Sequence, residues 1–245
     1  MKVHYENAKE VIPHKIHTGL RVFINRYHAD FPSHWHTDIE IIQPKEAPYK
    51  VICGNQTYYV DIDDILLICP AVLHEIYSPS PGARLYVQAD FSKFNGLKDI
   101  DKAFRLMSPA LHIQKKTCPR ETYEYLCSCL NKIMDLYFGS APQLYADKEI
   151  DESVITFAEL EPYGEMEIYS ILFQFIAYCG KNIQLFQGTD SVTVSGGCKK
   201  NITLSNVCVY ISDHFTEEIS LETVATYAGF SKFHFDRIFR EYTGV

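Results

Sequence analysis

The chain has 245 residues, 47% of them hydrophobic, enough for one large domain or two modest ones with real cores. A formal net charge of −8 weighs against a generally basic nucleic-acid binder, because phosphate contacts dominate such affinity; a small DNA-reading patch on an acidic body stays open. No stretch is long and apolar enough to cross a membrane, and no apolar run follows Met1-Lys2-Val3-His4-Tyr5-Glu6, so a cytoplasmic chain without membrane contact is expected.

Aromatics are plentiful, with 17 Tyr and 15 Phe but 1 Trp, and core packing is their first use. The eight cysteines (Cys53, Cys69, Cys118, Cys127, Cys129, Cys179, Cys198, Cys208) are scattered, with no C-x-x-C pair. They read as reduced core residues, not as a disulfide set or a zinc site.

Residues 1–118 read as β-rich. Runs at 20–27, 38–43, 49–52, 57–60, 65–68 and 85–91 have strand length and β-branched or aromatic content. Turn signals separate them: Pro44-Lys45-Glu46-Ala47-Pro48, Cys53-Gly54-Asn55-Gln56, Asp61 to Asp64 and Pro79-Ser80-Pro81-Gly82. Many short strands without helices between them predict a sandwich or jelly-roll barrel.

Within this region, His34, His36 and Glu40 are all even-numbered. In one extended strand they share a face, because side chains alternate. His74 follows two further hairpin strands, behind Pro70. The pattern H-x-H-x-x-x-E, then about 34 residues, then P-x-x-x-H, resembles the two motifs of the cupins, which are small jelly-roll barrels. The resemblance implies that His34, His36, Glu40 and His74 lie inside the barrel mouth. The glycines of both motifs are missing here: Lys45-Glu46-Ala47 and Ala71-Val72-Leu73 stand in their places.

Residues 119–185 read as helical. Tyr123, Leu126, Cys127, Leu130, Ile133, Met134 and Tyr137 form one apolar stripe. A second helix at about 165–182 is apolar on nearly all sides, with Ile168, Ile171, Leu172, Phe175, Ile176 and Cys179. It needs wide cover, from the barrel, its neighbour helix or another subunit. The acidic stretch 147–161 between them reads as a solvated connector. Residues 186–201, with Gly188, Gly196, Gly197 and Lys199-Lys200, have the composition of a linker.

Residues 202–245 return to helical periodicity. Leu204, Val207, Cys208, Ile211 and Phe215 stripe one helix. Ser220 is a candidate N-cap for the next, with Glu222 in its first turn, and Gly229 suits a tight turn. Ser231 is placed to cap a third helix. Its Phe235, Ile238, Phe239 and Tyr242 make a core face, while Phe233, Asp236, Arg237 and Arg240 make the opposite one. An Arg-bearing face with an outward aromatic suits a major groove; a plain helical hairpin with a polar surface is the alternative.

The run Ile219-Ser220-Leu221-Glu222-Thr223-Val224-Ala225, then Ala228-Gly229-Phe230-Ser231-Lys232-Phe233-His234-Phe235-Asp236-Arg237-Ile238-Phe239-Arg240, then Thr243-Gly244, resembles the AraC/XylS family of transcription regulators. The match covers about 45 residues and is specific to the first helix-turn-helix of that family's DNA-binding unit. It implies that Phe233, Asp236 and Arg237 face bases, with Ser231, Lys232 and Arg240 nearer the backbone. The family's second helix-turn-helix is not found before Val245, so few phosphate contacts and weak DNA affinity are expected of this stretch alone.

Both resemblances imply one architecture of mixed α and β class: a cupin-like jelly-roll barrel (1–118), a helical dimerisation segment (119–185), a linker (186–201) and a partial DNA-binding domain (202–245). The expected function is a ligand-responsive, sequence-specific transcription regulator, not an enzyme. It would be a homodimer that partners operator DNA and a small-molecule effector, with sugars the effector class the family favours. For His34, His36, Glu40 and His74 three uses stay open. They hydrogen-bond an effector without a cofactor, which is preferred on family grounds; they hold a divalent transition metal; or they satisfy one another in a polar interior. The alternative function is a metal-dependent cupin enzyme, an isomerase or dioxygenase, with these four as ligands. A third is a module that senses and dimerises without binding DNA.

Overall fold

The computed structural model describes residues 4–6, 8–26, 28, 30–94, 97–139, 159–186, 207, 210, 211, 214 and 217–243. Its strands are β1 (His4–Glu6), β2 (Lys9–Val11), β3 (Leu20–Asn25), β4 (Phe31–His34), β5 (Ile39–Pro44), β6 (Tyr49–Cys53), β7 (Gln56–Val60), β8 (Ile65–Ile68), β9 (His74–Tyr77), β10 (Arg84–Ala89) and β11 (Ala110–Ile113). One antiparallel sheet has the order β11-β8-β5-β10-β3, a second β4-β9-β6-β7, and β1 pairs with β2.

The pairings from β3 to β10 are nested: β3 with β10, β4 with β9, β5 with β8, β6 with β7. The chain is one long hairpin folded over so that, on either side of the β6–β7 tip, successive strands alternate between the two sheets, which is the jelly-roll connection. The tip is the β6–β7 hairpin, where Cys53 faces Gln56 across a two-residue loop. Gly54 takes the first loop position at φ +56°, the backbone such a loop demands.

Burial follows the layers. The strands β5, β8 and β10 are buried at every position, because the helices cover the outer face of their sheet; they read as unbroken apolar runs. The second sheet faces solvent on one side, and β6 alternates buried and half-buried residues.

The expectation of no helix among the strands is corrected. Helix α1 (Lys98–Met107) precedes the edge strand β11. Its buried residues are only Ile100, Ala103 and Met107, so charges on the other face hide the stripe from a search for apolar runs. Helices α2 (Arg120–Phe138) and α3 (Gly164–Lys181) follow. Gly139 at φ +61° ends α2. In α3, Ile168, Tyr169, Leu172, Phe175, Ile176 and Cys179 are all buried. Barrel and helices share one hydrophobic core, so the greasy face of α3 is covered within the chain.

Polar contacts fasten the helices to the barrel. The Tyr169 hydroxyl donates to the Asp90 carbonyl (2.7 Å) and lies 3.2 Å from the Gly19 carbonyl. The Gly19 amide donates to Glu165 (3.1 Å). Lys15 reaches the Tyr137 carbonyl in the last turn of α2 (3.0 Å), satisfying a helix end that lacks an internal partner.

Helices α4 (Leu221–Tyr227) and α5 (Lys232–Thr243) lie in a separate small core of Val207, Val224, Ala225, Phe235 and Ile238. Ser220 Oγ accepts from the Thr223 amide (3.1 Å), the expected N-cap, and Gly229 turns at φ +71°. The expected linker, except Phe186, and the acidic connector up to residue 158 fall outside the described residues, as do Leu204, Cys208 and Phe215.

The fastening at Gly19 is testable. A Cβ there would stand 2.6 Å from the Tyr169 hydroxyl oxygen, so Gly19→Ala is expected to destabilise the protein by about 1 to 3 kcal/mol through overpacking. Combined with Tyr169→Phe, which removes that oxygen, the loss should fall short of the sum of the two single losses. Denaturant melts of the four proteins read it.

Candidate functional site

His34 ends β4, His36 lies in the crossing between sheets, Glu40 sits in β5 and His74 begins β9. The single extended strand expected for the first three is corrected. The chain leaves the four-stranded sheet after His34 and enters the five-stranded one at Ile39. Between them, Trp35 bridges to Lys9, with backbone bonds to Ala8 and Glu10 (both 2.9 Å). The side chains converge because each points inward from its own wall. His34 and His74 are cross-strand partners with ring centroids 4.2 Å apart.

One ligand atom from each of His34, His36, Glu40 and His74 lies within 4.8 Å of every other. All four residues are 1 to 2% exposed. Each imidazole is oriented by a carbonyl two residues away. His34 Nδ1 meets the Pro32 carbonyl (2.7 Å), His36 Nδ1 that of Asp38 (3.1 Å) and His74 Nδ1 that of Val72 (2.8 Å). A carbonyl oxygen only accepts, so each Nδ1 carries the hydrogen and each Nε2 is turned toward the centre.

At the centre, Glu40 Oε2 lies 3.1 Å from His36 Nε2 and 3.2 Å from His74 Nε2. Burial opposes charge on His36, but the hydrogen bond and charge of Glu40, helped by Glu10 and Asp38, outweigh it and raise its pKa to about 9. Burial and the neighbouring His34 hold His74 down at about 4, against the pull of Glu40. Burial would raise the Glu40 carboxyl, yet the hydrogen bond and charge of His36 pull it well below the usual carboxylate range. One proton therefore sits between His36 and Glu40. His74 Nε2 is left as a buried lone pair without a hydrogen-bond donor among the described residues.

Three further buried groups stand around the four. Glu10 of β2 lies 3.3 Å from His34 Nε2 and 3.6 Å from Arg21. Arg21 donates to Gln88 (3.3 Å), and Gln88 contacts Glu40 Oε1 at 3.5 Å. The register explains the chain of contacts: Arg21, Gln88 and Glu40 occupy one rung across β3, β10 and β5. Sequence reasoning missed all three. The signal available was a charged residue inside an apolar strand, as in Leu20-Arg21-Val22-Phe23, which is costly unless partnered.

The donor set fits a divalent transition metal: three imidazoles aimed by second contacts and one carboxylate, with the lone pair of His74 Nε2 lacking a donor among the described residues. Bonds of about 2.0 to 2.2 Å put opposite donors at most about 4.4 Å apart, so closing the set requires shifts of only a few tenths of an ångström.

The six residues read as DNA-facing lie in or just before α5. Phe233 is 88% exposed while Phe235 and Ile238 are buried, so the helix has the two expected faces. Ser231, Lys232, Arg237 and Arg240 are exposed and Asp236 is half-buried. Arg240 Nε donates to both Asp236 oxygens (3.1 and 3.2 Å), and Arg237 lies 3.4 Å from His234. The Phe235 amide donates to the Ser231 carbonyl (2.8 Å).

No model of a known protein family matches the chain, and no curated protein does. Solved structures give loose superpositions. The AraC-like transcriptional activator CuxR aligns at 8% identity and TM-score 0.42, over 84% of this chain and 61% of its own; this chain thus spans about three fifths of CuxR. ToxT from Vibrio cholerae aligns at 15% identity and TM-score 0.33, over 93% of this chain and 96% of its own. A cupin-2 domain protein from Shewanella frigidimarina aligns at 14% identity and TM-score 0.27, over 29% of this chain and 71% of its own. Superpositions this loose do not establish a shared function.

The proton balance predicts a pH optimum for stability. His36, raised from 6.5 to about 9, gives stability that is complete below pH 6.5 and is lost as pH rises through about 9. His74, lowered from 6.5 to about 4, binds its proton more readily unfolded, so stability is lost as pH falls from 6.5 toward 4. Melting of metal-free protein should therefore peak near pH 6.5. In Glu40→Gln the decline above pH 6.5 should vanish, which thermal scans across pH 4 to 10 would show.

Proposed function

We propose that this protein is a ligand-responsive transcription regulator, not an enzyme, with its sensor in the barrel and its DNA reader in α5. The observation that carries the proposal is Phe233, 88% exposed on a helix face shared with Arg237 and Arg240. An aromatic that exposed, beside two guanidinium groups and after a tight turn, suits thymine methyls and guanine edges in a major groove. Ser231 and Lys232 stand where phosphates pass, and Asp236 can accept from a base amine.

In the barrel, the sensing centre is His34, His36, Glu40 and His74. What supports a bound metal over a bare hydrogen-bonding pocket is the unsatisfied His74 Nε2. A metal there would supply a Lewis acid able to take an effector oxygen. A carbohydrate remains the effector class that the family resemblance implies, and Glu10, Arg21 and Gln88 are the side chains able to bond its hydroxyls. The effector would act by binding one arrangement of the DNA-reading arm better than another. For the proposed homodimer, the unburied part of α3 includes Met166, with Tyr163 just before it. Among the described residues no helix is long and apolar enough to cross a membrane.

A second reading, a metal-dependent cupin enzyme, draws on the same four residues. Turnover by metal-loaded protein, without any sequence preference for DNA, would favour it.

Two measurements test the proposal. Selection from a random duplex library should enrich a defined sequence, and Phe233→Ala or Arg237→Ala should weaken binding to it about tenfold or more without changing the melting temperature. No enrichment at low salt would sink the DNA-reading claim. For the centre, purified protein titrated with zinc, nickel or manganese should gain stability, and the gain should grow with pH because ligands must shed protons. That slope is opposite in sign to the metal-free decline above pH 6.5. His74→Ala should abolish the gain.

A further inference from the structure

The barrel interior is layered along β10, whose inward residues are Gln88, Tyr86 and Arg84. Gln88 lies on the rung of Arg21 and Glu40, and Tyr86 on that of Phe23 and Ile42. Arg84 pairs with Asn25 and Pro44, four residues or about 13 Å from the polar rung of Gln88. The middle layer is apolar. Tyr86 stacks on Phe23 at 4.7 Å and meets Phe31 at 6.2 Å.

Arg84 is fully buried, yet its positive charge meets no carboxylate among the described residues. Its Nη atoms donate to the carbonyls of Gly82 (2.9 Å), Ser80 and Pro48 (3.5 Å). Its guanidinium lies 4.2 Å over the Tyr49 ring. Carbonyl dipoles and a ring face soften a buried cation but do not neutralise it. Among the described residues, neither Arg84 Nε nor the Tyr86 hydroxyl has a well-formed hydrogen bond. Tyr49 Oη beside them accepts from Asn25 Nδ2 (3.3 Å). Two buried donors and an uncompensated charge thus share one end of the barrel, under the loops of residues 45–48 and 78–82.

We propose that Arg84 and Tyr86 form an anion subsite at the end of the barrel remote from the histidines, and that it takes the carboxylate of a small organic acid. A carboxylate accepts from both orphaned donors and supplies the missing counter-charge. The layer of Phe23, Phe31 and Tyr86 beneath favours an acid with an apolar or aromatic body over inorganic anions. The subsite stands whether or not the histidine centre holds a metal, since no residue is common to both.

The test uses the full chain with hexanoate and phenylacetate, against 1-hexanol and 2-phenylethanol as neutral counterparts and sodium chloride as the ionic control. The acids should raise the melting temperature and give a calorimetric binding isotherm, and the alcohols and chloride should not. Tyr86→Phe removes only a buried hydroxyl, so the variant should still fold, yet bind the acids about tenfold more weakly. Arg84→Met should abolish binding; if it fails to fold, Tyr86→Phe alone decides. The subsite is overturned if neither acid binds, if the alcohols bind equally, or if Tyr86→Phe binds the acids as tightly as the parent. None of these outcomes touches the metal titration of the histidine centre, so the two readings fail separately.

Discussion

The centre of the barrel has more hydrogen-bond acceptors than protons, and the surrounding structure answers to that imbalance. Three Nε2 atoms and a carboxylate share a space sealed from water, while each Nδ1 is committed to a carbonyl two residues away. With one proton between His36 and Glu40, the His74 lone pair faces the carboxylate unscreened. Such a centre is stable only with a rigid frame or with a cation inside it. The frame is present: Glu10, Arg21 and Gln88 extend the network until each carboxylate near the histidines has a positive or donating neighbour.

The nested strand order brings the distant parts together. Residues 34 and 74 are far apart in the chain, but folding one long hairpin over on itself makes them direct neighbours across β4 and β9. The same fold sets β10 between β3 and β5, so one strand lines the whole interior and carries both polar ends and the aromatic middle. The helices then seal the outer face of that sheet. Tyr169 and Glu165 join α3 to the turn at Gly19, just before β3. The C-terminal helices have a core of their own, which leaves the exposed face of α5 free of any packing duty.

Much of this was legible in the sequence, and the failures have physical causes. The strands β5, β8 and β10 were readable because burial on both sides makes them continuous apolar runs. The strands β4 and β9 were not: Phe31-Pro32-Ser33-His34 carries a proline and exposes its middle, and His74-Glu75-Ile76-Tyr77 is short and half polar. Helix α1 hid behind its charges. The four centre residues were found through spacing, although the supposed shared strand was an error. The spacing encodes a corner between sheets, and parity of numbering happens to survive that corner. Glu10, Arg21 and Gln88 stayed hidden because their partners lie across strands, at separations no local pattern reports. The cap at Ser220, the turn at Gly229 and the two faces of α5 were readable because they depend on neighbours within a few residues.

Trp35 gives the centre an optical consequence. It is the only tryptophan in the chain, and it stands between His34 and His36, half-buried, with the Lys9 ammonium 5.4 Å from its ring. Its backbone is the link between the two imidazoles. An ion or ligand that draws the two histidines together through that link is expected to move the indole relative to the Lys9 charge. The intrinsic fluorescence of the unmodified protein is therefore a single-site gauge of the barrel centre, free of background from any other indole.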